Sequence, residues 1–189
     1  LVEVYRPVQP AGVINPYAST GEVGCLGDDL NEALLNAMIA TGYRLPKQSV
    51  LISSGAAKGK VSLLEPAQQL VKKGYKVYAT AGTAQFFNNN GVPATPVAWP
   101  DEEPSTVNGQ CATVNVMDMI AEHQFDLIVN VPKNHSKREL TNGYRIRRGA
   151  IDHNIPLITN VRLAKAFIEA FTAMSENDIK IKSWQEYNN

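Results

Sequence analysis

Lys76-Val77-Tyr78-Ala79-Thr80-Ala81-Gly82-Thr83-Ala84 is the stretch whose reading decides the fold. Its first four residues form a short apolar run of strand character, and Ala84 to Asn90 reads as a helix. Two hydroxyls three residues apart, with a glycine between them, therefore stand where a strand hands over to a helix. The first N–H groups of a helix lack partners within it, and its dipole favours negative charge, so such a turn suits a phosphate or a carboxylate. A threonine before a helix is equally an ordinary N-cap. The turn acquires meaning only from what stands at the ends of the neighbouring strands.

Those strands lie on both sides of it. Val50-Leu51-Ile52, a short strand from Thr95 to Ala98, Asp126-Leu127-Ile128-Val129-Asn130 and Pro156-Leu157-Ile158-Thr159 are brief apolar runs separated by helical patterns. From Lys60 to Lys73 the apolar residues Val61, Leu64, Ala67, Leu70 and Val71 recur at helical spacing until Gly74. Pro66 fits only a first turn, so that helix is expected to begin near Leu63. Thr113 to His123 reads as a further helix, and Pro100 to Gln110 as a loop. Lys133 to Asn142 reads as a polar loop leading into a helix near Arg147 to His153. The last helix follows Asn160, with Val161, Ala164, Phe167, Ile168 and Phe171 on one face. Alternating strands and helices predict an α/β fold, a parallel sheet covered by helices on both faces.

Residues 1–48 stand outside this rhythm. Asp28 to Thr41 reads as a helix closed by Gly42, and Leu45-Pro46-Lys47-Gln48 as a linker, so a boundary is expected between residues 48 and 49. The chain starts at Leu1 rather than Met and reads as part of a longer protein. With 189 residues, 44% hydrophobic, it is long enough to bury a sizeable core. Eighteen basic and eighteen acidic residues balance, which argues against nucleic acid or an anionic membrane as partner. No apolar run approaches a membrane span and no signal peptide is visible. Cys25 and Cys111 show no metal or redox spacing and read as reduced thiols of a cytosol-like compartment.

In an open parallel sheet, ligands bind beyond the carboxyl ends of the strands. Those ends carry Ser53-Ser54-Gly55, Thr80 to Thr83, Trp99, Asn130 and Thr159-Asn160, with Lys60 (or Lys58) near enough to supply a cation. The set is rich in hydroxyls, amides and cations but has no carboxylate, His or Cys at a strand end. General-base catalysis requires a titratable group at the reacting proton, and no nucleophile is paired with a base. His123, His135 and His153 read as surface or core histidines, Asp101-Glu102-Glu103 as a solvated charge run, and Arg145, Arg147 and Arg148 as a helix face. The residues suit holding a small anion more than transforming one. No catalytic or metal-binding residue is expected.

Thr80-Ala-Gly-Thr83 after a strand, Val97-Ala-Trp99-Pro100, Asp126 to Asn130, Tyr144-Arg-Ile-Arg147-Arg148 and Ile155 to Asn160 resemble the methylglyoxal-synthase-like domain family, in the version that ends the large chain of carbamoyl-phosphate synthetases. The resemblance covers about residues 48–189. Tyr17 to Val23 is similar to the close of the preceding ATP-grasp unit. The resemblance implies a Rossmann- or flavodoxin-like three-layer sandwich with a five-stranded parallel sheet. It also implies a non-catalytic effector-sensing role in a ligase that itself uses ATP with Mg or Mn, and no cofactor in this part of the chain. Implied partners are a small anionic effector, the rest of the synthetase chain and a glutaminase subunit or domain. The implied place is the cytoplasm, or the mitochondrion for an acetylglutamate-dependent form.

The family has two effector classes. Lys60, Thr80, Thr83 and Asn130 match positions that hold a nucleotide monophosphate, but Trp99 stands where that form has a lysine and Pro132 where it has a hydroxyl. Thr80, Thr83, Trp99, Asn130 and Asn142 match the N-acetylglutamate pattern, with Lys133 replacing one asparagine. The matches lean to an N-acetylglutamate-like acid. The enzymatic alternative, methylglyoxal synthase itself, needs acids where this chain has Ser54-Gly55-Ala56 and Asn108-Gly109-Gln110.

Overall fold

Val50, Leu51 and Ile52 are completely buried because their strand is hydrogen-bonded on both edges and covered on both faces. In the computed structural model, which describes residues 25–103, 106–107, 110–111, 113–132, 137–175, 178–180 and 186, that strand is β1 (Ser49–Ser54). Before it comes α1 (Leu30–Ala40). After it come α2 (Ala57–Ser62), α3 (Leu64–Lys72), β2 (Lys76–Thr80), α4 (Ala81–Asn89), β3 (Thr95–Val97) and a small hairpin, β4 (Thr106–Val107) and β5 (Gln110–Cys111). The second half runs α5 (Val116–Ala121), β6 (Leu127–Val131), α6 (Lys137–Asp152), β7 (Leu157–Ile158) and α7 (Val161–Ala173).

The five main strands form one sheet in the order β3-β2-β1-β6-β7, and every pairing is parallel. Successive side chains of a strand point to opposite faces, so the core divides in two. Val50, Ile52, Val77, Ala79, Leu127 and Val129 meet α1, α3, α4 and α7, through Leu35, Leu70, Phe87 and Phe167 among others. Leu51 and Ile128 meet α5 and α6 through Met119, Ile120, Ile146 and Ala150. The result is the three-layer α/β sandwich expected from the alternation.

Several elements begin elsewhere than their apolar spacing suggests. The helix expected from Leu63 is preceded by a separate one, α2, and the two meet at Leu63. Pro66 occupies the first turn of α3, where its missing N–H costs nothing. Helix α4 starts at Ala81, three residues early, which places Gly82 and Thr83 in its first turn. The region read as a loop from Pro100 to Gln110 holds β4 and the start of β5, which pair as a hairpin ending at Cys111. The largest difference is α6. It begins at Lys137, so the segment read as a polar loop up to Asn142 is helical from Lys137 onward. Its Leu140 and Tyr144 are exposed while Asn142 and Gly143 are buried, an inversion that apolar periodicity does not detect.

At the N-terminal edge of the sheet, Asp126 anchors the entry to β1. Its carboxylate accepts from the backbone N–H groups of Lys47, Gln48 and Ser49 at 3.2, 2.6 and 2.9 Å. Helix α1 packs against α7, with Leu35 and Met38 in the same core cluster as the sheet. Tyr17 to Val23 lies outside the described residues.

Candidate functional site

The chain runs outward from β1 through β2 to β3, then returns to the other side of β1 to build β6 and β7. The order therefore reverses between β1 and β6, where Ser53 lies opposite Asn130. Helices leave neighbouring strands to opposite faces at such a point and open a crevice beyond the strand ends. A cleft of about 280 Å³ lies there. Its floor is made of strand ends: Ser53, Ser54, Thr80, Asn130 and Val131.

One wall comes from α2 and α4, through Lys60, Gly82 and Thr83. The Lys60 ammonium donates to the Gly82 carbonyl at 2.7 Å, which ties the two helices together and sets a cation beside the start of α4. Thr80 occupies the N-cap position, yet its hydroxyl does not cap the helix. It donates instead to the Ser53 hydroxyl at 3.2 Å. The ordinary N-cap reading of Thr80 therefore fails, and the N-terminal N–H groups of α4 receive nothing from the Thr80 side chain. Thr83 is 1% exposed. Its hydroxyl accepts from the Ser54 N–H at 3.2 Å and donates to the Ser54 carbonyl at 3.1 Å. The one hydroxyl proton of Thr83 is engaged by Ser54 and that of Thr80 by Ser53, so Thr83 shapes the wall, Thr80 acts through the Ser53 hydroxyl it donates to, and Ser53 and Lys60 are the groups that reach a guest.

The other wall comes from the turn after β3 and from α6, through Trp99, Glu139 and Gly143. The turn is clasped to the helix. Arg138 donates to Asp101 at 2.6 and 3.1 Å and to Glu102 at 2.8 Å. Asn142 donates to Asp101 at 2.6 Å, and Arg145 donates to the Pro100 carbonyl at 3.0 Å. Trp99 N–H donates to Glu102 at 3.0 Å, and the Asn115 amide donates to the carbonyls of Trp99 and Glu102 at 3.1 and 2.8 Å. What reads in sequence as a solvated charge run is thus the frame that holds Trp99.

The Arg138 guanidinium, donating to Asp101, holds that carboxyl below the usual carboxylate range. A group whose folded-state value is depressed favours the folded arrangement above its unfolded value of about 4 and loses that contribution as pH falls through the folded value. In a chain carrying Trp184→Phe, Trp99 emission is therefore expected to stay constant above about pH 4 and to change below it. Arg138→Gln should produce the same emission change at neutral pH. Emission indifferent to both would show that the clasp does not hold Trp99.

Lys60, Thr80, Thr83, Trp99 and Asn130 all line the one cleft. Asn142 does not. It is buried on α6 and turned to Asp101, while the adjacent Gly143 lines the cleft in its stead. Asn160 caps α7, accepting from the N–H groups of Arg162 and Leu163, and is not among the lining residues. Lys133 and His135 lie outside the described residues. Two α6 residues that the sequence reading does not single out, Glu139 and Gly143, line the cleft, and Arg147, expected on a helix face, continues their row at the same spacing of four. Arg147 donates to the Asn130 side-chain oxygen at 2.7 Å. It passes Gly143 to do so, where an added Cβ would come within 3.0 Å of the guanidinium. That i, i+4, i+8 row is the available signal, and the loop expected from Lys133 to Asn142 breaks it by separating Glu139 from the helix that carries Arg147.

Comparison with known proteins gives the same frame. The chain is 41% identical over 167 residues to the multifunctional protein CAD of Squalus acanthias, which covers 84% of this chain and 7% of that protein. It is 40% identical over 164 residues to human mitochondrial carbamoyl-phosphate synthase (ammonia), covering 86% of this chain and 10% of that one. The chain thus spans about a tenth or less of these relatives. A methylglyoxal synthase structure from Elizabethkingia anophelis overlays with a TM-score of 0.46 at 15% identity, covering 76% of this chain and 90% of that chain. The sequence pattern of one family, described as the MGS-like domain, matches residues 62–159. That span runs from the end of α2 to the end of β7 and contains the cleft residues Thr80, Thr83, Trp99, Asn130, Glu139 and Gly143, so the chain belongs to the MGS-like domain family.

Proposed function

We propose that this chain is the effector-binding regulatory domain of a carbamoyl-phosphate synthetase, and that its cleft holds a small anion such as N-acetylglutamate or a nucleotide monophosphate. The observation that carries the reading is the joining of Lys60 to the first turn of α4, at Gly82, beside the Thr80–Ser53 hydroxyl pair. Positive charge, helix dipole and hydroxyl donors then converge on one end of the cleft, which is what an anionic group requires. The relatives named above, a carbamoyl-phosphate synthase and a multifunctional protein containing the same domain, support the assignment to that enzyme. Its ATP, divalent cation and glutaminase partner would be met elsewhere in the larger assembly.

Regulation would follow from linkage. An effector that prefers one arrangement of the domain against the synthetase core shifts the equilibrium by its difference in affinity for the two arrangements. Calorimetric titration with N-acetylglutamate, UMP, IMP and ornithine is expected to show saturable binding of at least one anion. Purified chain incubated with dihydroxyacetone phosphate is expected to release no phosphate. Clear turnover there would replace the regulatory reading with the methylglyoxal synthase one, and no saturable binding of any of the four would remove the effector site.

A further inference from the structure

Asn130 stands near the end of β6, 3% exposed and opposite Ser53, in the floor of the cleft. Its amide has two unlike ends, an oxygen that accepts and an Nδ2 that carries two N–H groups. An anionic guest is served by one end and repelled by the other. The two ends are nearly the same in shape, so packing alone does not choose which of them faces the cleft.

Arg147 makes the choice. A guanidinium donates and never accepts, so the atom it meets at 2.7 Å is the Asn130 oxygen, and Nδ2 is left for the cleft. Among the described residues nothing accepts from that Nδ2. Arg147 is not among the lining residues and acts from behind the floor. Side chains of a helix lean toward its N-terminus, so the Arg147 side chain runs back over residue 143. A Cβ there would stand 3.0 Å from the guanidinium and 3.6 Å from the Asn130 oxygen, against the hydrogen bond itself. Glycine inside a helix is less favourable than alanine, and Gly143 is not among the glycines of positive φ. The close approach, not backbone freedom, is what asks for glycine in the middle of α6.

We propose that Arg147 is a positioning residue of the cleft: it holds the Asn130 oxygen and so turns Nδ2 toward the guest, and Gly143 is bare to let it pass. This rests on the anion site proposed above and adds to it a residue that does not line the cleft. The charge on the guanidinium also polarises the amide, which makes its N–H groups stronger donors.

The test is a double-mutant cycle read in binding. N-acetylglutamate, UMP and inorganic phosphate are titrated into the whole chain and into Arg147→Met, Asn130→Ala and the double variant, with thermal melts confirming that each is folded. For whichever probe the wild-type chain binds, Arg147→Met is expected to weaken binding about tenfold, the scale of one charge-assisted hydrogen bond. In the Asn130→Ala background the same change should cost less than about twofold, because no amide remains to be oriented. Equal costs in the two backgrounds would show that Arg147 acts through its charge or through the fold alone, and would overturn the proposal, as would wild-type affinity in Arg147→Met. Asn130→Asp keeps an acceptor for Arg147 but offers the guest an oxygen, so it should melt like wild type and bind about tenfold or more weakly; undiminished binding there would also overturn it. A readout without ligand comes from the side-chain amide proton signals of Asn130 in a nitrogen–proton correlation spectrum, identified by their loss in Asn130→Asp. They should move in Arg147→Met and in Gly143→Ala, and signals unmoved in both would count against the proposal. If Arg147→Met does not fold, Gly143→Ala takes its place in the cycle. Absence of binding by all three probes would remove the anion site and the proposal with it, whereas each of the other failures leaves the site standing.

Discussion

Thr80→Ala combined with Thr83→Ala is expected to weaken binding of whichever anion the cleft holds by about tenfold to a hundredfold, and to destabilise the chain as well. The two substitutions act differently. Removing the Thr80 hydroxyl takes away the donor that positions the Ser53 hydroxyl at the anionic end, and a hydrogen bond to a charged group contributes about 1.5–3 kcal/mol. Removing the Thr83 hydroxyl orphans the N–H and the carbonyl of Ser54 at the buried end of β1. Leaving a buried polar group unpaired costs about 1–3 kcal/mol, and that cost falls on folding first. Serine at both positions keeps both hydroxyls, so the double Ser variant should bind and melt close to wild type. Titration and thermal melts of the two single alanine variants separate the roles: Thr80→Ala should move affinity more than the melting temperature, Thr83→Ala the reverse. A double alanine variant that binds every anion as well as wild type would remove this cleft as the effector site.

That division of roles shows what was legible in the sequence. The strand ends were legible because each is a short apolar run followed by a turn, and the rule that ligands gather beyond the carboxyl ends of parallel strands then named Ser53, Thr80, Trp99 and Asn130 together. Which hydroxyl faces a ligand and which faces the protein was not. It depends on Ser54 and Thr83 meeting across 29 residues of sequence, and no local pattern encodes that. Helix α6 was obscured for another reason. Apolar spacing reports burial of large side chains, and the first half of α6 buries Asn142 and Gly143 while Leu140 and Tyr144 face outward, 52% and 60% exposed. Glu139 was lost with the helix. The spacing places Arg147 on a helix face, but its contact with Asn130, 17 residues away and reached past the bare Gly143, is encoded by no local pattern.

Deleting residues 1–44 is expected to cost the remaining chain several kcal/mol of stability, enough to bring it near the limit of cooperative folding. The sequence places a boundary between residues 48 and 49, whereas α1 lies on α7. Leu35 is fully buried and Met38 nearly so. Burial of such side chains stabilises by about 1.5–3 kcal/mol each, so their loss amounts to about 3–6 kcal/mol, an upper estimate, against the roughly 5–15 kcal/mol of a typical domain. The deletion also removes Tyr43, whose ring stands edge-on to Phe167 at 6.1 Å and whose hydroxyl donates to the Leu157 carbonyl at 2.7 Å. Glu32 goes with it, and its buried carboxylate accepts from the Lys180 N–H at 3.0 Å. Leu35→Ala in the whole chain isolates the packing contribution and should cost about 2–5 kcal/mol. Denaturant unfolding of both proteins measures it. Equal midpoints for the truncated and whole chains would make residue 49 a true folding boundary and α1 an independent element resting on the domain. A large shift would mean that α1, although it precedes the strand–helix alternation, completes one core layer of the domain, because without it the α7 face bearing Phe167 is left open to water.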